Sequence, residues 1–325
     1  MKFNFLRSKP KYEISFLPSF LPSFLPSFLP SFLPSFLPSF LPSFLPSFLP
    51  SFKRIVCLSA AISILGGCAV VADVYGHDSA TMNAAAAKDY MKTVELNKSA
   101  GNVDTTSRTA RRVQAVFRRM LPYADAANNT GHKFDWKMTV FKNDELNAWA
   151  MPGGKMAFYT GIVDKLKLTD DEIAAIMGHE MTHALHEHGK NKVGQQILTN
   201  TAAQIGTQII LDKKPDTNPE LVGLGMDILG TYGITLPYSR SLEEEADEGG
   251  MMLMAQAGYH PAAAVRVWEK MNQENDQNGF ISAITSTHPT NNARIENLKR
   301  LLPTVMPVYE QSVRNRGRVN KKRRR

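Results

Sequence analysis

Cysteine is scarce in this chain. Of 325 residues only Cys57 and Cys68 are cysteines, and both lie near the N-terminus. That excludes a disulfide framework in the body, and it excludes a thiolate metal site there. Any metal in the body must be held by histidine and carboxylate. Long apolar runs are also lacking: Ile55 to Leu65 is too short to span a bilayer. Acidic residues are absent from the last stretch. The formal net charge is +8, and eight basic residues lie between Arg314 and Arg325 with no acidic one. The remainder is neutral, so charge does not mark the folded body as a nucleic-acid binder. Residues 306–325 read as a solvated, disordered basic tail. The tail alone can touch phosphates or anionic head groups, and no specific nucleic-acid partner is expected.

What is present first is a repeat. Phe16 to Ser51 are nine tandem copies of Phe-Leu-Pro-Ser, holding nine of the 19 prolines and nine of the 17 phenylalanines. A proline in every copy removes amide donors and blocks helix and central strand. A TTCC tract read in triplets encodes this same repeat. Residues 1–52 are an N-terminal extension whose array is read as DNA-level repetition preceding a conventional leader, with tract slippage as a switch of expression; the competing reading is a functional proline-rich spacer. Lys53-Arg54, the apolar run and Leu65-Gly66-Gly67-Cys68 have the order of a secretory signal over 53–67. The last four residues resemble the bacterial lipobox, which makes Cys68 the lipidated first residue of the mature protein. The implied location is the periplasm, lipid-anchored, and Ala69 after the cysteine resembles outer-membrane sorting.

Residues 68–105 are expected to form a tether and a first helix, and 106–305 the main domain. Arg108 to Leu121 has helical periodicity, with Val113, Val116, Phe117 and Leu121 on one face. Phe134, Trp136, Met138 and Val140 alternate with polar residues as a half-buried strand does. Pro152-Gly153-Gly154 signals a turn. The stretch Gly154, Lys155, Met156, Ala157 and Phe158 after it is expected to be an edge strand open to an extended peptide. Thr169-Asp170-Asp171-Glu172 has the form of a capping box, with Leu168 and Ile173 as its staple. Helices are expected over 193–211, 221–229, 241–257, 261–275 and 292–302. The fold class is α+β, mostly helical, with a small sheet beside the active helix.

The chemistry concentrates in His179-Glu180-Met181-Thr182-His183. Two histidines four apart share a helix face and can converge on one Zn²⁺. Glu180 lies beside the first of them, placed to take a proton from water as general base. A third protein ligand is needed. The pattern with a glycine at 186 and a histidine at 189 fails, because those positions hold His186 and Gly189. His188 lies too far round a continuous helix to join the pair and reads as a polar-face residue or a neighbour of the ligands. The acids from Glu243 to Asp247 remain.

Five motifs in order carry a resemblance: Asn147-Ala148 with Pro152-Gly153-Gly154; Gly178 to His183; Tyr238-Ser239-Arg240; Glu243-x-Glu245-Ala246-Asp247; and Thr287-His288-Pro289. Together, over about Ala110 to Leu302, they resemble peptidase family M48, a gluzincin family. The resemblance implies a gluzincin-type zinc metallopeptidase with one zinc per chain. In its pattern Glu243 is the third ligand, and Asp247, one turn on, orients a ligand histidine. Glu244 and Glu245 then belong to a solvated face. His288 matches a histidine that either approaches the metal as a removable ligand or assists the substrate. The implied activity is endopeptidase cleavage of unfolded or misassembled envelope proteins. The alternative is a zinc-binding chaperone or assembly factor with little turnover. No feature of the sequence sets an oligomeric state.

Overall fold

The computed structural model describes residues 67–213, 238–278, 283–288 and 292–323. The Phe-Leu-Pro-Ser array, the leader before Gly67 and the helix expected over 221–229 lie outside them. A helical segment at 67–74 leads into α1 (Ser79–Ser99), whose N-cap Asp78 accepts from the Thr81 amide. α2 spans Arg108–Ala127 and buries Val113, Val116, Phe117, Met120 and Ala124. It continues past Pro122, so the stop expected at Leu121 does not occur. β1 (Lys137–Phe141), β2 (Ala148–Met151), a 3-10 turn (Pro152–Gly154) and β3 (Lys155–Tyr159) follow, then a short α3 (Thr160–Lys165).

The sheet order is β1-β3-β2, with β1 parallel and β2 antiparallel to β3. This corrects the expected edge strand. Lys155, Met156, Ala157 and Phe158 lie in the central strand, hydrogen-bonded on both sides and buried. They have no free edge for a peptide. The edge is β2. Both glycines of the turn before β3 have positive φ, 73° and 80°, and a Cβ on Gly154 would stand 2.6 Å from the Trp136 ring. A side chain there would be strained and would displace the tryptophan.

α4 (Asp170–Leu185) is the hub. Its capping box is closed: the Thr169 amide donates to Glu172 Oε2 at 2.8 Å, and Thr169 Oγ1 accepts from the Glu172 amide at 3.3 Å. Everything from Glu172 to Leu185 is buried. Against it lie α2, α6 (Arg240–Gln256) and α7 (Ala262–Asn278). The crossing with α6 is close: a Cβ on Gly178 would stand 2.6 Å from the Gly250 carbonyl oxygen, and one on Gly250 2.6 Å from the His179 amide nitrogen. Two glycines back to back let the backbones meet, which brings the acids of α6 within reach of the histidines of α4.

α4 ends at His186, and Glu187 takes a left-handed φ of 52°. The chain turns there and restarts as α5 (His188–Lys213). A short α8 (Ala283–Thr287) precedes His288, and α9 runs over Asn292–Arg323.

Two further expectations change. The segment 68–105 is no free tether. Val71, Ala72 and Tyr90 are buried, Lys190 pairs with Asp73 at 2.7 Å, and the Cys68 carbonyl packs on Gly194 of α5. The basic tail is helical as far as it is described, since α9 passes Pro303 and Pro307 and continues to Arg323. Val305 is buried, Val308 and Tyr309 pack on the core, and Ser312 Oγ donates to the Ala255 carbonyl at 2.8 Å. Apolar residues at helical spacing carry the helix onto the body. No described helix is long and apolar enough to cross a membrane.

Candidate active site

The site is assembled from α4, α6, the end of α8 and the start of α9. His179 and His183, one turn apart on α4, point their Nε2 atoms at each other across 3.0 Å. From α6, Glu243 places Oε1 3.3 Å from His183 Nε2 and Oε2 3.6 Å from His179 Nε2. Asp247, one turn on, has Oδ1 3.0 Å from His179 Nδ1. With His179 Nε2 facing the cluster as a lone pair, its Nδ1–H donates to Asp247 and fixes the ring. His288 enters from the end of α8, its amide donating to the Ile284 carbonyl at 2.8 Å. Its Nδ1 stands 2.8 Å from Glu243 Oε1 and 3.2 Å from His179 Nε2. Its Nε2 is 3.5 Å from Glu180 Oε1.

All the histidines, acids and the base singled out on these helices thus meet at one place; the β3 residues do not. Glu244 is exposed. Three more residues contribute: Arg294, which the sequence did not single out, His188, read there as a polar-face residue or a neighbour of the ligands, and Tyr238 of the third motif. Arg294, 7% exposed, spans both α6 acids: Nη1 is 2.5 Å from Glu243 Oε2, Nη2 2.7 Å and Nε 2.8 Å from Asp247. Its guanidinium lies 3.6 Å over the Trp268 ring. His188 reaches His183, Nδ1 to Nδ1, at 2.8 Å, because the break at Glu187 swings it back beneath α4. Tyr238 stacks on the His183 ring at 4.2 Å. The one available signal was a lone arginine six residues past His288, and a charged residue in a first helical turn reads as solvent-facing.

Electrostatics favour neutral His183 and His188 and ionised Glu243 and Asp247. Burial pushes the His183 imidazole well below its usual value and the His188 imidazole down to about 4, so both are neutral. Burial alone would raise Glu243, but the charge of His179 and the bonds to His183 and His288 outweigh it and hold the carboxyl well below its usual range. Burial also opposes ionisation of Asp247, and Arg294 outweighs it. Burial raises Glu180, with His288 and His179 partly offsetting. At His288 burial is outweighed by Glu180 and Glu243, which raise it: the pocket favours positive charge at that point.

These residues fit a divalent metal. The Nε2 and carboxylate atoms converge at 3.0 to 3.6 Å, and donors about 2.0–2.1 Å from a tetrahedral zinc stand roughly 3.3–3.4 Å apart. Three buried carboxyl groups, Glu180, Glu243 and Asp247, face one buried guanidinium, Arg294, an excess of acid that suits a bound cation. Glu180 Oε1 has no hydrogen-bond partner among the described residues, so a proton acceptor lies free beside the cluster. His179, His183, Glu243 and His288 have donor atoms within 4.8 Å of one another.

Residues 107–302 match the profile of peptidase family M48. The mitochondrial metalloendopeptidase OMA1 of Schizosaccharomyces pombe is 32% identical over 177 residues, 54% of this chain and 50% of that protein. Metalloprotease LoiP of Escherichia coli is 27% identical over 187 residues, 56% of this chain and 69% of that protein. The β-barrel assembly-enhancing protease of Escherichia coli is 21% identical over 201 residues, 62% of this chain and 40% of that protein. The match spans about half the length of the yeast OMA1 proteins. With more than half of its length matched and a histidine–glutamate site fitted for zinc on α4 and α6, the chain belongs to peptidase family M48.

Proposed function

We propose that this chain is a zinc endopeptidase, lipid-anchored through Cys68 in a bacterial envelope, that cleaves unfolded or misassembled proteins. The observation that carries the peptidase reading is the convergence of His179, His183 and Glu243 beside the free Oε1 of buried Glu180. His179, His183 and Glu243 would hold the zinc. Zinc bound there supplies a Lewis acid that acidifies water and polarises a carbonyl.

The chain's own groups do the rest. Glu180 Oε1 accepts a proton from water, and burial brings its pKa upward, toward that task. Asp247 and His188 fix the rings of His179 and His183. The outer edge of β2, with the Ala150 amide close to Glu180, takes an extended substrate strand by main-chain pairing. Such pairing reads little side-chain identity, which suits unfolded substrates. The envelope and anchor rest on the order of Lys53 to Cys68; the relatives include mitochondrial proteins as well as those of Escherichia coli.

Cleavage of casein by the purified protein, abolished by chelator and restored by zinc, tests the activity. Zinc retention with no cleavage would instead favour a chaperone or assembly factor. Palmitate labelling that persists in Cys68→Ala would remove the anchor.

The ligand assignment has its own outcome. Glu243→Ala loses bound zinc, while Glu244→Ala keeps it, as metal analysis of dialysed protein would read. Zinc retained in Glu243→Ala and lost in Glu244→Ala would place the third ligand wrongly on α6.

His288 is proposed as a latch. Its ring occupies the space between Glu180 and Glu243 that water needs, at 3.5 and 2.8 Å. His288→Ala should raise casein cleavage and self-cleavage. Lower turnover with zinc still bound would make His288 a donor to the developing oxyanion instead.

A further inference from the structure

Outside the cluster just described, a second set of donor atoms converges at the turn between α4 and α5. His186 Nδ1 is 3.4 Å and His188 Nε2 3.3 Å from the same atom, Glu245 Oε2. The three donors lie within 4.8 Å of one another. These are near the spacings that bonds of about 2.0–2.2 Å to one tetrahedral ion impose. Two imidazoles and one carboxylate suit zinc and its neighbours among the transition metals. The placement is also that of a site with an entrance. The His188 side chain is wholly buried and forms the floor, while the His186 and Glu245 side chains are 48% and 54% exposed at the rim. The left-handed turn at Glu187 makes the arrangement possible, because a continuous helix would hold residues 186 and 188 on different faces.

We propose that His186, His188 and Glu245 form a second, solvent-open site for a divalent transition cation such as zinc. The site is joined to the first through one hydrogen bond. His183 and His188 face each other Nδ1 to Nδ1 at 2.8 Å. The second site stands on the convergence of its three donor atoms and on the buried His188 at its floor.

The test is equilibrium dialysis of the full chain against zinc over a wide range of concentration, with bound metal counted per chain. The expected result is one tight and one weak equivalent. His186→Ala should lose the weak equivalent, or weaken it at least tenfold, and keep the tight one. A single equivalent at every concentration overturns the second site, as does a weak equivalent that survives in the His186→Ala, Glu245→Gln double variant. A chain with the weak equivalent and no tight one supports the second site and sinks the zinc-peptidase reading, so the two failures are distinguishable.

Discussion

Glu180→Gln should keep its zinc and lose about 10²–10⁴-fold in cleavage rate, the usual contribution of a general base. The amide has the size and shape of the carboxylate, so the packing of α4 against α6 is left alone. What changes is the acceptor. Glu180 is 2% exposed, and its Oε1 accepts no hydrogen bond among the described residues, with His288 Nε2 3.5 Å away. No solvent or neighbouring carboxylate stands ready to take the proton in its place, since Asp247 is bound to Arg294 and His179 and Glu243 faces the histidines. Turnover number on a fluorogenic peptide, beside metal content on the same sample, reads both halves. Turnover within tenfold of the native value at full zinc occupancy would sink the proposed role.

Arg294→Leu should destabilise the metal-free protein by about 3–5 kcal/mol, the cost of breaking a buried ion pair by removing one partner. The guanidinium makes a two-pronged contact with Asp247 and a third contact with Glu243, all buried. Leucine leaves both acids without a counter-charge. Arg294→Lys should fall between, because a single ammonium keeps the charge and loses the fork. Urea unfolding in chelator would measure it. A loss under about 1 kcal/mol in Arg294→Leu would mean that the acids find compensation elsewhere. Zinc should narrow the gap, since a divalent ion supplies part of the missing charge.

The parts of this molecule that were readable in advance are local. The capping box at Thr169 and Glu172 and the four-residue spacing of His179 and His183 each depend on neighbours in sequence. Glu243 and Asp247 share a helix face by spacing, but their choice as partners of α4 came from the resemblance. Long-range order was not readable. Whether Lys155–Tyr159 lies at the edge or the centre depends on its parallel pairing with Lys137–Phe141, and alternation in either strand is silent on that. The unbroken burial of Lys155 to Phe158, including a lysine, is the signature of a covered strand. His188 was judged on a continuous helix, and the turn at Glu187, a non-glycine residue at positive φ, broke that assumption. Arg294 becomes meaningful only once α9 docks on α6. Prolines at 303 and 307 and a basic end suggested that the last helix stops early, whereas apolar contacts at Val305, Val308 and Tyr309 extend it.

The proposed ligands come from stretches of chain far apart in sequence, at 179–183 and at 243. An unfolded chain has no such constellation, so the ion binds the native state almost alone. By mass action the folded form gains roughly 4.1 kcal/mol at free zinc a thousandfold above the dissociation constant. The melting temperature should therefore climb with free zinc and drop in chelator. An unchanged melting temperature would mean that the ion binds both states alike. In a zinc-starved compartment this peptidase would then lose abundance together with activity, because the ion that serves its chemistry also sets the fraction of molecules that stay folded.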